Sequence, residues 1–204
     1  TVNVVVEKLV EILPHNEKYV VTFTDISRRK VLERRLRALV DTDSLTGCWN
    51  RRRFDKDLNN YSNLADRYGY THSCLALIDL DHFKAINDNY GHDQGDKALK
   101  EVAELLKTNS RDTDIVARVG GEEFAILMPE TNLTEAFEAM YRLKEVIAKG
   151  TTLNLTVSSG VSEIQGQAEA TYRSADRALY RAKGSGRNRV CSSSSGYPMS
   201  MARG

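Results

Sequence analysis

The chain has 204 residues, 41% of them hydrophobic and 28% charged, which suits one full domain plus an accessory segment and excludes disordered or collagen-like states. With 29 basic against 28 acidic side chains the net charge is +1, which argues against a nucleic-acid binder relying on bulk positive charge. Cys48, Cys74 and Cys191 are widely spaced and odd in number, so neither a disulfide framework nor a zinc site is expected.

Residues 1–25 read as extended, within a first segment of 1–26. Val2, Val4 and Val6 alternate, Tyr19 to Phe23 form a second β-rich run, and Pro14-His15-Asn16-Glu17 reads as the turn of a hairpin. Two strands alone are marginal in water, so a fragment of a larger sheet is expected, or a hairpin packed on something else. Residues 27–42 turn helical. Leu32, Leu36 and Leu39 form a stripe among arginines, as in a short parallel coiled coil that pairs two chains or in an ordinary amphipathic linker helix. The main domain is expected over 43–191. Asn50 caps a helix to about Arg67 that Gly69 ends, and Ser73 to Leu80 is an apolar strand. A helical region from His82 to Lys107 is interrupted by Gly91 and Gly95. Ile115–Arg118 and Glu123–Met128 form a hairpin across Gly120-Gly121. A helix over Leu133–Ala148, a strand over Leu153–Val161 and a helix over Ala168–Lys183 complete the domain. This order predicts an α+β fold, an antiparallel or mixed sheet with helices to one side. Residues 192–204 are Ser/Gly-rich and read as a disordered tail. No run approaches the roughly 18 apolar residues of a membrane helix, and the start has no signal-peptide pattern. No membrane contact is expected within this segment, and a reducing, cytoplasmic setting is, with room for an anchor elsewhere in a longer parent chain.

Asp79 and Asp81 end an apolar strand, where carboxylates are well placed to hold Mg²⁺ among oxygen ligands and phosphates. The run Val119-Gly120-Gly121-Glu122-Glu123-Phe124 adds two glycines that let the backbone approach a ligand closely, followed at once by two acids. With that hairpin beside the strand ending at Asp79, Glu122 and Asp79 converge, and metal-assisted phosphoryl or nucleotidyl transfer is the natural chemistry.

Four stretches carry a resemblance to one family. Arg-Val-Gly-Gly-Glu-Glu-Phe (118–124) resembles the signature of the GGDEF family in its GGEEF form. Asp-Leu-Asp-His-Phe-Lys-Ala-Ile-Asn-Asp-Asn-Tyr-Gly-His-Asp-Gln-Gly-Asp (79–96) resembles its substrate motif. Residues 43–52, starting Asp-Ser-Leu-Thr-Gly, resemble its opening, and residues 175–188 its close. Trp49 and Cys48 depart from the opening motif and are expected to pack locally. The resemblance implies a palm-like (ferredoxin-like, nucleotidyl cyclase) fold, with a central antiparallel sheet and flanking helices. It also implies a diguanylate cyclase, condensing two GTP into cyclic di-GMP with loss of pyrophosphate across a homodimer.

It further implies that Asp79, the Leu80 carbonyl, Glu122 and Glu123 hold Mg²⁺ (or Mn²⁺), and that Glu122 is the base for the 3′-hydroxyl. Asn87 and Asp96 would read guanine, with His92 beside the nucleotide. Lys84, Lys183, Arg187 and the amides around Phe83 would meet the phosphates, Lys84 acting in catalysis as well. Lys183 and Arg187 would share a helix face if the helix continues through Gly184 and Gly186. Arg111-Asp112-Thr113-Asp114 has the spacing of the family's inhibitory RxxD motif, so Arg111 and Asp114 would bind the product, with Arg142 as a third residue; the alternative is an exposed charge pair of little weight. Thr22 to Lys30 resembles the exit of a PAS sensor domain. Two rival functions remain: a non-catalytic receptor for cyclic di-GMP or GTP, and a regulatory dimerisation module.

Overall fold

The computed structural model describes residues 4–11, 18–25, 41–69 and 72–194. The chain divides into two units, Thr1–Asp41 and Thr42–Gly204. In the first, β1 (Val4–Glu11) and β2 (Lys18–Asp25) pair antiparallel, from Val4 opposite Asp25 to Glu11 opposite Lys18. The turn expected at Pro14–Glu17, the leucine stripe of 27–42 and residues 195–204 lie outside the described residues.

The second unit is built on a six-stranded sheet ordered β3-β5-β6-β4-β7-β8. Its strands are β3 (Trp49–Asn50), β4 (Cys74–Leu80), β5 (Ile115–Arg118), β6 (Glu123–Met128), β7 (Val157–Glu163) and β8 (Val190–Ser192). The inner pairs β5–β6, β6–β4 and β4–β7 are antiparallel, whereas the outer pairs β3–β5 and β7–β8 are parallel. Every residue of β4 is buried. A central strand covered on both faces has no polar side to show, which is why Cys74-Leu-Ala-Leu-Ile reads as an unbroken apolar run.

Helices cover both faces, correcting the expectation of helices to one side. On one face, α1 (Arg51–Tyr68) and α5 (Ala168–Gly184) contribute Phe54, Leu58, Ala175 and Leu179 to a core with Leu75, Leu77, Ala125 and Leu127. On the other, α2 (Phe83–Tyr90), α3 (His92–Thr108) and α4 (Leu133–Gly150) pack on Ala76, Ile78, Phe124 and Ile126. Alternate residues of β4 and β6 divide between the two cores, as the period of two dictates. Asn50 caps α1 by accepting from the Arg53 amide, and Asn132 and Glu135 form a reciprocal capping box on α4.

Three boundaries differ from expectation. The helical region breaks at Gly91 alone, and Gly95 lies inside α3. The strand expected from Leu153 starts at Val157, because the Thr151 hydroxyl accepts from the Leu155 amide and Asn154 takes a left-handed turn. Ser192, counted with the tail, is buried in β8, and the Ser193 amide donates to the Val161 carbonyl. Cys48 is buried, and Trp49 packs on the α1 side beneath the Arg53 guanidinium.

Candidate active site

The site gathers where β4 ends. The pairing of β6 with β4 sets Glu123 opposite Asp79, and the Leu80 amide donates to the Glu122 carbonyl at 3.2 Å. The hairpin acids and the strand-end aspartate are thereby brought together. The turn between β5 and β6 is braced from within its own motif. Arg118 donates through Nη2 and Nε to the Gly121 carbonyl at 2.7 and 3.2 Å, and through Nη1 to Asp43 at 3.1 Å. Burial works against charge on Asp43, but the Thr46 hydroxyl and amide and the Arg118 guanidinium overcome it and hold the carboxyl below its usual range. The Glu123 carboxylate folds back over Gly120, where a Cβ would strike it. Among the described residues no partner engages the Glu122 carboxylate.

Lys183 reaches Asp79 from the last turn of α5, its Nζ 2.7 Å from Oδ2. Burial nevertheless pushes the Asp79 carboxyl above its usual range, against the pull of Lys183 and Arg187 and with the push of Asp81. The ion pair and the upward direction do not conflict: one ammonium, itself a third exposed, compensates only part of the cost of desolvating the carboxylate. Carboxylates and a carbonyl gathered at one strand end are hard oxygen donors of the kind a divalent cation takes. Asp79, Glu122 and the Leu80 carbonyl are the donors that fit it, with Glu123 set against Gly120. Among the described residues no cluster of three or more His, Cys, Asp or Glu side chains could hold an ion unaided, so ligand oxygens would have to complete the shell.

Asp81, expected beside Asp79 as a metal ligand, has a different occupation. Its Oδ1 accepts from the Ser158 hydroxyl at 2.7 Å, and Oδ2 from the Thr156 hydroxyl at 2.8 Å and the Asn188 amide at 2.9 Å. Asp81 is only 5% exposed, and three of the roughly four acceptor positions of its carboxylate are taken. Thr156, Ser158 and Asn188 were not singled out by the sequence, because no local pattern ties residues so far apart.

Past Asp81, His82 turns left-handed and α2 begins at Phe83. The Ala85 and Ile86 amides are satisfied by the His82 carbonyl, whereas those of Phe83 and Lys84 have no backbone acceptor. Such a helix start suits an anion. The Phe83 side chain is buried in the core, and Lys84 is exposed on the first turn. Asn87 lies against α3 at Gly95, where a Cβ would come within 2.0 Å of Asn87 Oδ1. The absent side chain thus makes room for the carboxamide against α3, while Asp96 and His92 stand exposed on the first turns of that helix. Arg187 does not continue α5. The helix ends at Gly184, and Arg187 and Asn188 are both left-handed, with φ of 61° and 47°. Arg187 still lies close enough to Asp79 to favour its charge.

Arg111, Asp114 and Arg142 meet elsewhere, around a cavity of about 210 Å³ that Thr131, Glu135 and Glu138 also line. The Arg111 amide donates to Asp114 Oδ2 at 2.8 Å. Asp114 Oδ1 is buried without a partner, and burial pushes the carboxyl up. A larger cavity of about 560 Å³, lined by Tyr61, His72, Ser73 and Glu130, opens at the far end of β4 and contains none of the candidate residues.

Residues 40–189 match the family described as diguanylate cyclase, GGDEF domain. The diguanylate cyclase DgcP of Pseudomonas aeruginosa is 42% identical over 157 residues, which are 73% of this chain and 23% of that protein. The response regulator PleD of Caulobacter vibrioides is 42% identical over 163 residues, 74% of this chain and 36% of its own. The chain therefore spans well under half of these curated relatives. Among solved structures, the coiled coil and GGDEF domain of DgcB from Caulobacter crescentus, in complex with c-di-GMP, superposes with a TM-score of 0.74. It is 31% identical and covers 82% of this chain and 93% of that one.

Proposed function

This chain belongs to the GGDEF family of diguanylate cyclase domains, and on that premise we propose that it condenses two GTP molecules into cyclic di-GMP with loss of pyrophosphate from each. The observation that carries the proposal is the buried, under-compensated Asp79 carboxylate, flanked by two cations and followed by a helix start with two unengaged amides. A triphosphate and its counter-ion supply what that arrangement lacks.

In this proposal the Phe83 and Lys84 amides, Lys84, Lys183 and Arg187 bind the phosphates, and Asn87 and Asp96 take the guanine edge, with His92 alongside. Mg²⁺ held by Asp79, Glu122 and the Leu80 carbonyl, with Glu123 assisting, would neutralise charge developing on the phosphates. Glu122 accepts the proton of the attacking 3′-hydroxyl. One copy of each motif implies one GTP per chain, so two chains face each other about a two-fold axis to close the product ring. Residues 27–42 are proposed as the pairing helix. Residues 1–26, which include the β1–β2 hairpin, are proposed as the last strands of a PAS-type sensor. Buried, unpaired Cys48, Cys74 and Cys191 suit a reducing cytoplasm, and among the described residues no helix is long and apolar enough to cross a membrane. Arg111, Asp114 and Arg142 are proposed to bind product: two guanidiniums suit its phosphates, and the orphaned Asp114 oxygen suits a guanine donor.

The test is pyrophosphate release from GTP with Mg²⁺, with chromatography of the nucleotide product and a dilution series. Cyclic di-GMP formed with specific activity that falls on dilution is the expected result. Cyclic di-GMP binding without any pyrophosphate release would replace the enzyme with a receptor. Specific activity constant into the monomer range would remove the two-chain step.

A further inference from the structure

We propose that Asp81 is a positioning residue that holds the Arg187–Asn188 turn over Asp79, and so aims Arg187 at the polyphosphate. The polyphosphate part rests on the cyclase reading above; the anchor itself does not.

The turn needs an anchor. Two successive side-chain-bearing residues in the left-handed region are costly and persist only where the surroundings over-determine them. The near side of this turn is tied to α5, through the Ser185 amide on the Arg181 carbonyl and the Arg187 amide on the Ala182 carbonyl. Its far side is tied by the Asn188 amide to Asp81 Oδ2 at 2.9 Å, just before the Arg189 carbonyl accepts from Ser159 and β8 begins. Arg187 is exposed and, among the described residues, makes no ion pair, so the turn fixes where its side chain starts and hence which region the guanidinium can reach.

The chemistry of position 81 fits an anchor. Three donors converge there, two hydroxyls and one amide, and a carboxylate offers two oxygens that only accept. The Asp81 amide also donates to the Thr156 carbonyl at 2.9 Å, so the residue is pinned by its main chain as well. Thr156 and Ser158 stand two residues apart on the chain entering β7, on one face. Asp81 thus joins three segments: the end of β4 that carries Asp79, the start of β7, and the turn that carries Arg187.

The test uses the whole chain. Asp81→Ala should speed hydrogen exchange of the Asn188 amide at least about tenfold while the β4 and β6 amides stay protected. Affinity for a GTP analogue with a methylene bridge between the α- and β-phosphorus, measured by calorimetry with Mg²⁺, should fall about tenfold, as it should for Arg187→Ala. The double variant Asp81→Ala/Arg187→Ala should bind no more weakly than Arg187→Ala alone, because the anchor acts through the arginine. Asp81→Asn should bind within about twofold of the parent: its Oδ1 can serve Thr156 and Asn188 while the Ser158 hydroxyl turns to accept from Nδ2. If Asp81→Ala does not fold, Asp81→Ser, which cannot reach three donors, takes its place in the cycle. Fully additive losses in the double variant, or parental affinity in a folded Asp81→Ala, would overturn the role. An unmodified chain that fails to bind the analogue overturns the cyclase reading instead, and unchanged exchange at Asn188 then overturns the anchor separately.

Discussion

Gly160→Ala should push α5 off the sheet. At Gly160 in β7 a Cβ would sit 2.1 Å from the Ala175 carbonyl oxygen and 2.2 Å from the Leu179 nitrogen, both main-chain atoms of α5. Side chains can rotate away from an added methyl, but a helix backbone has to translate. To open the contact from 2.1 Å to the 3.0 Å that such atoms keep, α5 must retreat by roughly 0.9 Å. Overpacking of a close-packed core costs about 1–3 kcal/mol, and two backbone clashes put this case near about 3 kcal/mol. For a domain of this size that lowers Tm by about 6–12 °C. The same retreat carries Lys183 away from Asp79, now 2.7 Å apart, and a displacement of that order can cost about a hundredfold in turnover. Thermal unfolding followed by circular dichroism, with pyrophosphate release measured well below Tm, reads both effects. A Gly160→Ala protein that melts within about 2 °C of the parent and turns over normally would refute the close approach of α5 to β7.

Asp79→Asn should abolish turnover, by at least about a hundredfold, yet leave the metal-free protein at neutral pH no less stable. Because the folded Asp79 pKa is raised, its contribution is fully present below the unfolded value of 3.8 and lost as pH rises through the folded one. Any Tm advantage of the variant should therefore shrink as pH falls toward 3.8; an advantage that grows would reverse the sign. Asn87→Ala should lower kcat/KM for GTP about a hundredfold or more and leave ATP, already a poor substrate, unaffected. Equal use of ATP and GTP by the parent would remove the guanine assignment. Arg111→Ala should weaken cyclic di-GMP binding at least about tenfold in calorimetry and relieve product inhibition, with the initial rate retained; an unchanged inhibition constant would reduce Arg111 and Asp114 to a surface pair.

Much of the fold is legible in the sequence because its signals are local. Asn50 and Gly69 bracket α1, Gly91 separates α2 from α3, and the unbroken apolar run ending at Leu80 marks a strand buried on both faces. The candidate residues were legible as motifs, since Asp79 to Asp96 and Arg118 to Phe124 are continuous in the chain. The edge strands were not. β3 has two residues and β8 three, too short for any period to register, and each exists only because a parallel neighbour is there to pair with it.

What surrounds each acid was settled by tertiary structure alone. Asp79 and Asp81 look equivalent in sequence, two apart at one strand end, but Thr156, Ser158 and Asn188 close around Asp81 from 75 to 107 residues away. Asp79 is left facing Lys183. Likewise, Arg187 lies near Asp79 not because a helix runs through it but because the chain turns left-handed after Gly184. The order of residues sets each side chain's local geometry over a few positions; the donors that satisfy a buried carboxylate are gathered by folding from distant segments, and no short-range pattern records them.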